Sequence, residues 1–293
     1  MTRGYLLAFG ATACFAFGGI LARWAFAAGI EPATLAQWRI LLGGLSLIGF
    51  AAVARRGHLE VRAADLPAFA AFGVLGIAGV QLGYYESIAR IPLGLALVIQ
   101  YLAVVLVLGW LALRGRPIGK RLWAAAALTV GGCFFAVGAY DGDMLALNAL
   151  GGAIALANAC AFALYFILGE HLTHRYPRPV VLAWGFAFAA LAWSIRRPPW
   201  ELPWRENTPE QWALIGGLVV LATLVSYALS LSAVRILSAG RAGIAATAEP
   251  VVAAALAWTI LGERLQPVQV AGGLVVVAGR IVAQSVRREQ ATV

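Results

Sequence analysis

An all-α membrane protein, with ten transmembrane helices arranged as two inverted five-helix repeats, is the fold class that three features of this sequence predict. The first is composition. Of 293 residues, 62% are hydrophobic and 12% charged, with a mean hydropathy of +0.84, whereas a soluble domain typically carries about 25% charged residues. The second is spacing: apolar stretches recur at the length of about 20 residues that a helix needs to cross a hydrocarbon core of about 30 Å. The third is repetition. Ala11-Thr12-Ala13-Cys14 returns as Ala157-Asn158-Ala159-Cys160, and the same shift of 146 positions lays Trp38 on Trp184. An odd number of spans per copy makes the two copies enter the membrane from opposite sides, related by an axis in the membrane plane.

The spans follow in order. The first covers 4–27. Arg3 ahead of it and Ala25-Phe26-Ala27 at its end imitate a secretory signal, but its correspondence with the sixth span argues that it is retained. The second, 33–54, carries Trp38 and Arg39. The third, 66–89, places Gln81, Tyr84 and Tyr85 on one helical face and ends in Glu86, with Arg90 just beyond it. The fourth, 92–113, sets Gly94, Val98 and Tyr101 on a face with Gln100 beside it, and the fifth, 120–139, holds the pair Gly131-Gly132. Together they make a first repeat at 4–139, joined by the acidic link Asp141-Gly142-Asp143 to a second at 148–286.

In the second repeat the span 148–171 carries Asn158, Phe162 and Tyr165 at helical spacing, 179–196 carries Trp184, and 209–234 offers Ser226, Tyr227 and Ser230. The span 239–261 contains Glu249-Pro250, and 267–286 contains Gly272-Gly273. The loop 197–208, with Trp200, Trp204 and the following Trp212, reads as an aromatic anchor at the membrane interface. Paired glycines inside spans read as sites of close helix packing, because apolar burial yields nothing between helices in lipid.

The net charge of +9 does not point to nucleic acid, since the basic residues lie in short loops between apolar spans, where they set topology. With both termini inside, 14 cations fall on cytoplasmic segments and 5 on outer loops, so both termini are expected in the cytoplasm. The outer pair Arg196-Arg197 opposes this count. A single lysine against 21 arginines, in a chain rich in Ala and Gly, fits GC-rich coding and a bacterial cytoplasmic membrane. Cys14, Cys133 and Cys160 lie inside spans and read as small buried hydrophobes without a disulfide. His58, His171 and His174 lie at cytoplasmic ends without metal-ligand spacing, so neither metal nor cofactor is expected.

Glu249 is the most pointed signal. It lies about ten residues, or about 15 Å, into its span, near the bilayer midplane, where a carboxylate must be protonated, paired or facing a polar cavity. Pro250 removes a backbone donor and predicts a kink that frees the carbonyl of Ala246. A binding or gating role and a structural glutamic acid bonded to its neighbours both fit. The run Glu249-Pro250-Val251-Val252 through Gly262-Glu263, closing a duplicated five-span half, resembles the EamA branch of the drug/metabolite transporter superfamily. That resemblance implies a ten-helix carrier exporting small metabolites through a cavity lined mainly by helices 1, 3, 4, 6, 8 and 9. Within the superfamily the chain is most similar to the YddG-type aromatic amino acid exporters. Their helix-4 pattern Asn-Tyr-Leu-Trp-Pro is matched by Gln100-Tyr101-Leu102, but Ala103 and Val104 replace the Trp and Pro; in helix 6 Phe162 stands for their Trp and Tyr165 matches the following aromatic.

The residues also speak without the family. Gln81, Tyr84, Tyr85, Gln100, Tyr101, Asn158, Phe162, Tyr165, Tyr227 and Glu249 form a candidate substrate site, since aromatic faces with a few fixed donors suit a small zwitterion. For any one tyrosine, packing between helices fits as well. Arg23, Arg39, Glu86 and Arg90 form an outer cluster in which Glu86 pairs with an arginine, and Arg23, Arg39, Glu86 and Pro250 are the candidate gating residues. An enzyme would need a second catalytic group beside Glu249, and a channel a continuous polar stripe. A secondary transporter of amino acids, aromatic ones included, is the function expected. The alternative is an exporter of another metabolite or a drug-like cation, with proton coupling through Glu249. A monomer and a homodimer both suit the glycine-rich faces.

Overall fold

The computed structural model describes residues 2–54, 59–88, 90–91, 93–139, 148–261 and 266–285, and the regular structure among them is helical. We number the membrane helices α1 (Thr2–Ala27), α2 (Pro32–Ala54), α3 (Ala63–Ile88), α4 (Leu93–Tyr101 with Ala103–Leu113), α5 (Lys120–Ala136), α6 (Ala149–Arg175), α7 (Arg178–Arg196), α8 (Pro209–Leu237), α9 (Ala239–Ala246 with Glu249–Leu261) and α10 (Pro267–Ser285). Among the described residues nine of them are long and apolar enough to cross a bilayer. The tenth, α5, falls short by length, at 17 residues. Arg55, Arg56, His58, the 140–147 link, Gly262, Glu263, Arg264, Arg287 and Arg288 lie outside the described residues.

Local chemistry sets the helix ends. Pro32, Pro209 and Pro267 open α2, α8 and α10, where a missing N–H has no helical partner to lose. At α8 the Thr208 hydroxyl accepts from the Gln211 N–H at 3.2 Å, while the Gln211 side chain accepts from the Thr208 N–H at 2.9 Å. The Gln211 amide also donates to the Ala28 carbonyl at 2.7 Å, tying α8 to the end of α1. Gly29, at φ +88°, supplies the left-handed residue that lets α1 turn into α2.

The packing repeats itself. α1 lies against α8 and α9 as α6 lies against α3 and α4, and the like pairs α2–α7 and α5–α10 stand where a pseudo-twofold axis passes. Glycine makes these contacts possible: a Cβ on Gly132 would stand 2.7 Å from the Val276 backbone nitrogen, and Gly272 abuts the Ala136 nitrogen across the same interface. Gly18 abuts Ala222 between α1 and α8, and Gly73 abuts the Gly185 carbonyl between α3 and α7.

Four interruptions mark the helices nearest the centre. α3 widens into π-helical turns at Phe72–Gly79, as α8 does at Val220–Val225. α4 breaks at Leu102 and α9 breaks at residues 247–248. Under the 146-position shift the two breaks coincide, as do the two widened stretches. The predicted kink at Pro250 is thus a break just ahead of it: Glu249 and Pro250 open the second half of α9, in the first turn, where proline is tolerated. The Cys133 thiol lies 3.3 Å from the freed Thr247 carbonyl.

Trp204 and Trp212 close edge-on over the fully buried Trp38, at 4.3 and 4.9 Å between ring centroids, while Trp204 and Trp200 themselves stay exposed. Edge-on aromatic pairs of this kind add to the packing of the rings they join. One expectation is corrected. Cys160 is exposed on the outside of the bundle rather than buried; of the three cysteines only Cys133 is buried. A cysteine on the lipid side of a helix needs no partner. His171 and His174 are exposed at the end of α6.

Candidate functional site

The helices enclose a cavity of about 740 Å³, within the range of small-molecule sites. Its wall comes from α1, α3, α4, α6, α8 and α9, with Arg39 from α2, Ala136 from α5 and Gln269 from α10. At one end it reaches the helix termini at Arg23, Phe26, Ile88, Val137 and Gln269. At the other it stops at Ala8, Ala233 and Ala242, below which Phe72, Leu231 and Val234 close around Gly169. That closed end is bound by polar ties, most of them between the halves. Glu170 of α6 pairs with Arg116 at 2.7 Å and accepts the first N–H of α9, from Ala239, at 2.7 Å; Asp65 pairs with Arg175 at 2.6 Å and accepts from Tyr176 at 2.7 Å. Neither Glu170 nor Asp65 was among the candidates from sequence, although a carboxylate inside the predicted span 148–171 was a visible signal.

Eight of the ten candidate substrate residues line the cavity: Gln81, Tyr84, Tyr85, Gln100, Phe162, Tyr165, Tyr227 and Glu249. Tyr101 and Asn158 stand behind them. Tyr101 is fully buried and donates its phenol hydrogen to Glu249 Oε2 at 3.2 Å. Adjacent helical residues point about 100° apart, so with Gln100 facing the cavity Tyr101 turns into the packing of α5 and α10, beside Cys133 and Val276. Asn158, held against α3 where Gly83 leaves room, donates from Nδ2 to Gln100 Oε1 at 3.0 Å. It fixes which end of the Gln100 amide meets the cavity: the carbonyl is taken, and the NH₂ is available.

Of the candidate gating residues Arg23, Arg39 and Pro250 lie on the wall and Glu86 does not. Glu86 pairs with Arg90 at 2.7 Å and with Arg196 at 3.4 Å, near the end of the bundle to which the cavity reaches. Its partner across the halves is Arg196, which sequence reasoning had counted only as a topological exception. Arg197 is likewise engaged, donating to the Thr34 hydroxyl at 2.9 Å.

The wall combines surfaces of different character. Aromatic rings run across it, Phe15 to Tyr227 at 5.4 Å, Tyr227 to Tyr165 at 5.8 Å and Tyr165 to Phe162 at 6.2 Å, with the Tyr165 hydroxyl anchored on Ser230 Oγ at 2.9 Å. Gln81 is buried on the wall with neither amide atom in a well-formed hydrogen bond, the Tyr227 phenol standing within its reach. Among the described residues no group of three His, Cys, Asp or Glu stands together to hold a metal. Glu249 has a phenol rather than a second acid or base beside it. Such a wall can receive a small molecule, with apolar faces and a few polar contacts to orient it.

A duplicated ten-helix bundle around a mostly apolar central cavity with a few polar groups, reaching one end of the molecule, is the form of a membrane carrier. The chain belongs to the EamA-like transporter family, whose model matches residues 2–138 and again 149–283. It is therefore a multi-pass membrane transporter and not an enzyme. The uncharacterized transporter YcbK of Bacillus subtilis is 24% identical over 270 residues, covering 89% of this chain and 86% of that protein. The threonine/homoserine exporter RhtA of Salmonella typhimurium is 26% identical over 255 residues, covering 86% and 81%. The uncharacterized inner membrane transporter YicL of the same species is 26% identical over 239 residues, covering 78% and 77%. A solved crystal structure superposes with a TM-score of 0.81 at 19% identity and covers 99% of each chain, a likeness of fold.

Proposed function

We propose that this protein is a secondary transporter that exports amino acids, aromatic ones among its substrates, across the bacterial cytoplasmic membrane by alternating access. The observation that carries the proposal is the wall of the cavity, where Glu249, the amide of Gln81 and the NH₂ of Gln100 stand among aromatic rings. Such a wall offers fixed polar contacts for an amino acid backbone and apolar faces for its side chain. RhtA, named as a threonine/homoserine exporter, supports an amino acid substrate. With both termini cytoplasmic, the cavity faces outward, and rocking of the repeats 4–139 and 148–286 opens the other end as the ties at Glu170 and Asp65 part.

Export in exchange for protons entering down their gradient follows if an ammonium and a proton compete for Glu249, because each releases the other. An exported organic cation would use the same carboxylate. The chain acts as a monomer or a homodimer, in contact with lipid and a small-molecule substrate and with no nucleic acid. Counterflow tests the proposal: proteoliposomes preloaded with unlabelled amino acid should accumulate labelled threonine and phenylalanine. Accumulation of neither, with a labelled organic cation accumulated instead, would give the site to the alternative.

A further inference from the structure

Arg39 is the least explained charge on the cavity wall. It enters about 11 Å from the start of α2, a depth at which an unneutralised guanidinium is unfavourable. Its bonds in the protein are both to neutral groups: Nε donates to Thr223 Oγ1 at 3.3 Å and Nη2 to the Ala222 carbonyl at 2.7 Å. These contacts hold the guanidinium plane against α8 at its widened stretch Val220–Val225, and leave Nη1 without a partner. Glu249, on the same wall, is within reach of its field but makes no direct ion pair with it, and its hydrogen bond is to Tyr101. A fixed cation and a fixed carboxylate thus face one cavity with a gap between them. Glu249 lies about 18 Å along α9 from the end to which the cavity reaches, so it is the deeper of the two.

We infer that Arg39 is the carboxylate anchor of the site, so that the substrate is held as a zwitterion, its carboxylate on Arg39 toward the mouth and its ammonium on Glu249 below. The inference rests on the amino acid reading above and sharpens it. It assigns the carboxylate chiefly to a guanidinium, which can meet both oxygens at once, with the NH₂ of Gln100 as a further donor. The Gln100 carbonyl is already taken by Asn158. Gln81 is then left for side-chain polar atoms, as in a hydroxyamino acid. A simple cation is disfavoured, because Arg39 stands on the wall it would have to pass.

The test is equilibrium binding to the purified full-length protein in detergent, with L-threonine and L-threoninamide as probes, the second retaining the ammonium without the carboxylate. The wild type should bind threonine at least about tenfold tighter than the amide, the scale of one charge-assisted contact. Arg39→Gln should lose that preference by weakening threonine alone, and Arg39→Lys should keep part of it. Unfolding midpoints of the variants show whether the fold persists, and the acid-to-amide ratio of the wild type needs no variant. Equal wild-type affinity for acid and amide, or a preference that survives Arg39→Gln, overturns the anchor and leaves the amino acid reading standing. Absence of wild-type binding to both threonine and phenylalanine overturns that reading, and the anchor with it.

Discussion

Glu249 occupies the first turn of a half-helix, where backbone N–H groups lack helical acceptors and favour a carboxylate, and Tyr101 donates to it from the facing break in α4. The group is therefore held in place but open to the cavity on one side. Glu249→Gln keeps the shape and removes titration, so it should fold and still bind substrate, more weakly for want of the ammonium's partner, yet lose the dependence of transport on a pH gradient. Flux measured with and without an imposed gradient decides this, and gradient-driven transport persisting unchanged would leave Glu249 a structural group. Gln100 has a different part, presenting an NH₂ that Asn158 orients from behind. Gln100→Ala should weaken all amino acids alike by about 1–2 kcal/mol, the value of a hydrogen bond to a charged group. Competition across a panel of amino acids would show it, and an effect confined to large side chains would move Gln100 from the backbone end of the substrate to its side-chain end.

The helices divide into stiff and interrupted ones. α2, α5, α7 and α10 run unbroken and pair along the pseudo-axis, whereas α3, α4, α8 and α9, which line the cavity, each carry a π-helical stretch or a break. Freed backbone groups are tolerated in a membrane only where protein or a cavity receives them, so the interruptions fall at the centre. The stiff pairs depend on bare backbone contact. Gly272→Val would drive a side chain into the Ala136 backbone and should destabilise the protein by about 1–3 kcal/mol or more. Gly131→Ala, with nothing within 4 Å of the new Cβ, should be neutral or stabilising, by up to about 1 kcal/mol, through helix propensity. Thermal unfolding of the two variants in detergent checks the contrast; equal midpoints would mean that α5 and α10 have room to separate without loss.

At the scale of the molecule, the cavity reaches one end while ion pairs and packed rings close the other, the asymmetry expected of one state of a two-state carrier. Its direction depends on topology. The excess of cytoplasmic cations expects the link near residue 143 outside, and Arg196 and Arg197, which count against that orientation, are held by Glu86 and Thr34 near the mouth. In a variant lacking native cysteines, Asp143→Cys should react with an impermeant maleimide added from outside to intact cells. Reaction only after the cells are opened would reverse the orientation and turn the cavity inward.

Composition, span length and the returning Ala-x-Ala-Cys run determined the class, the number of helices and their duplication, because lipid permits so few ways to satisfy a backbone that apolar length alone identifies a spanning helix. Helical spacing likewise placed Gln81, Tyr84 and Tyr85 on one face, and depth alone marked Glu249. Only the tertiary structure decided which of two neighbouring side chains meets the cavity, Gln100 in front and Tyr101 behind, since both lie within the same apolar run and the choice belongs to the helices packed around them. It also decided the break in α4, where Val104 replaces the proline of α9 and no local residue demands an interruption. Trp204 and Trp212 meet Trp38 for the same reason: partners distant in sequence set their positions, and local patterning carries no record of them.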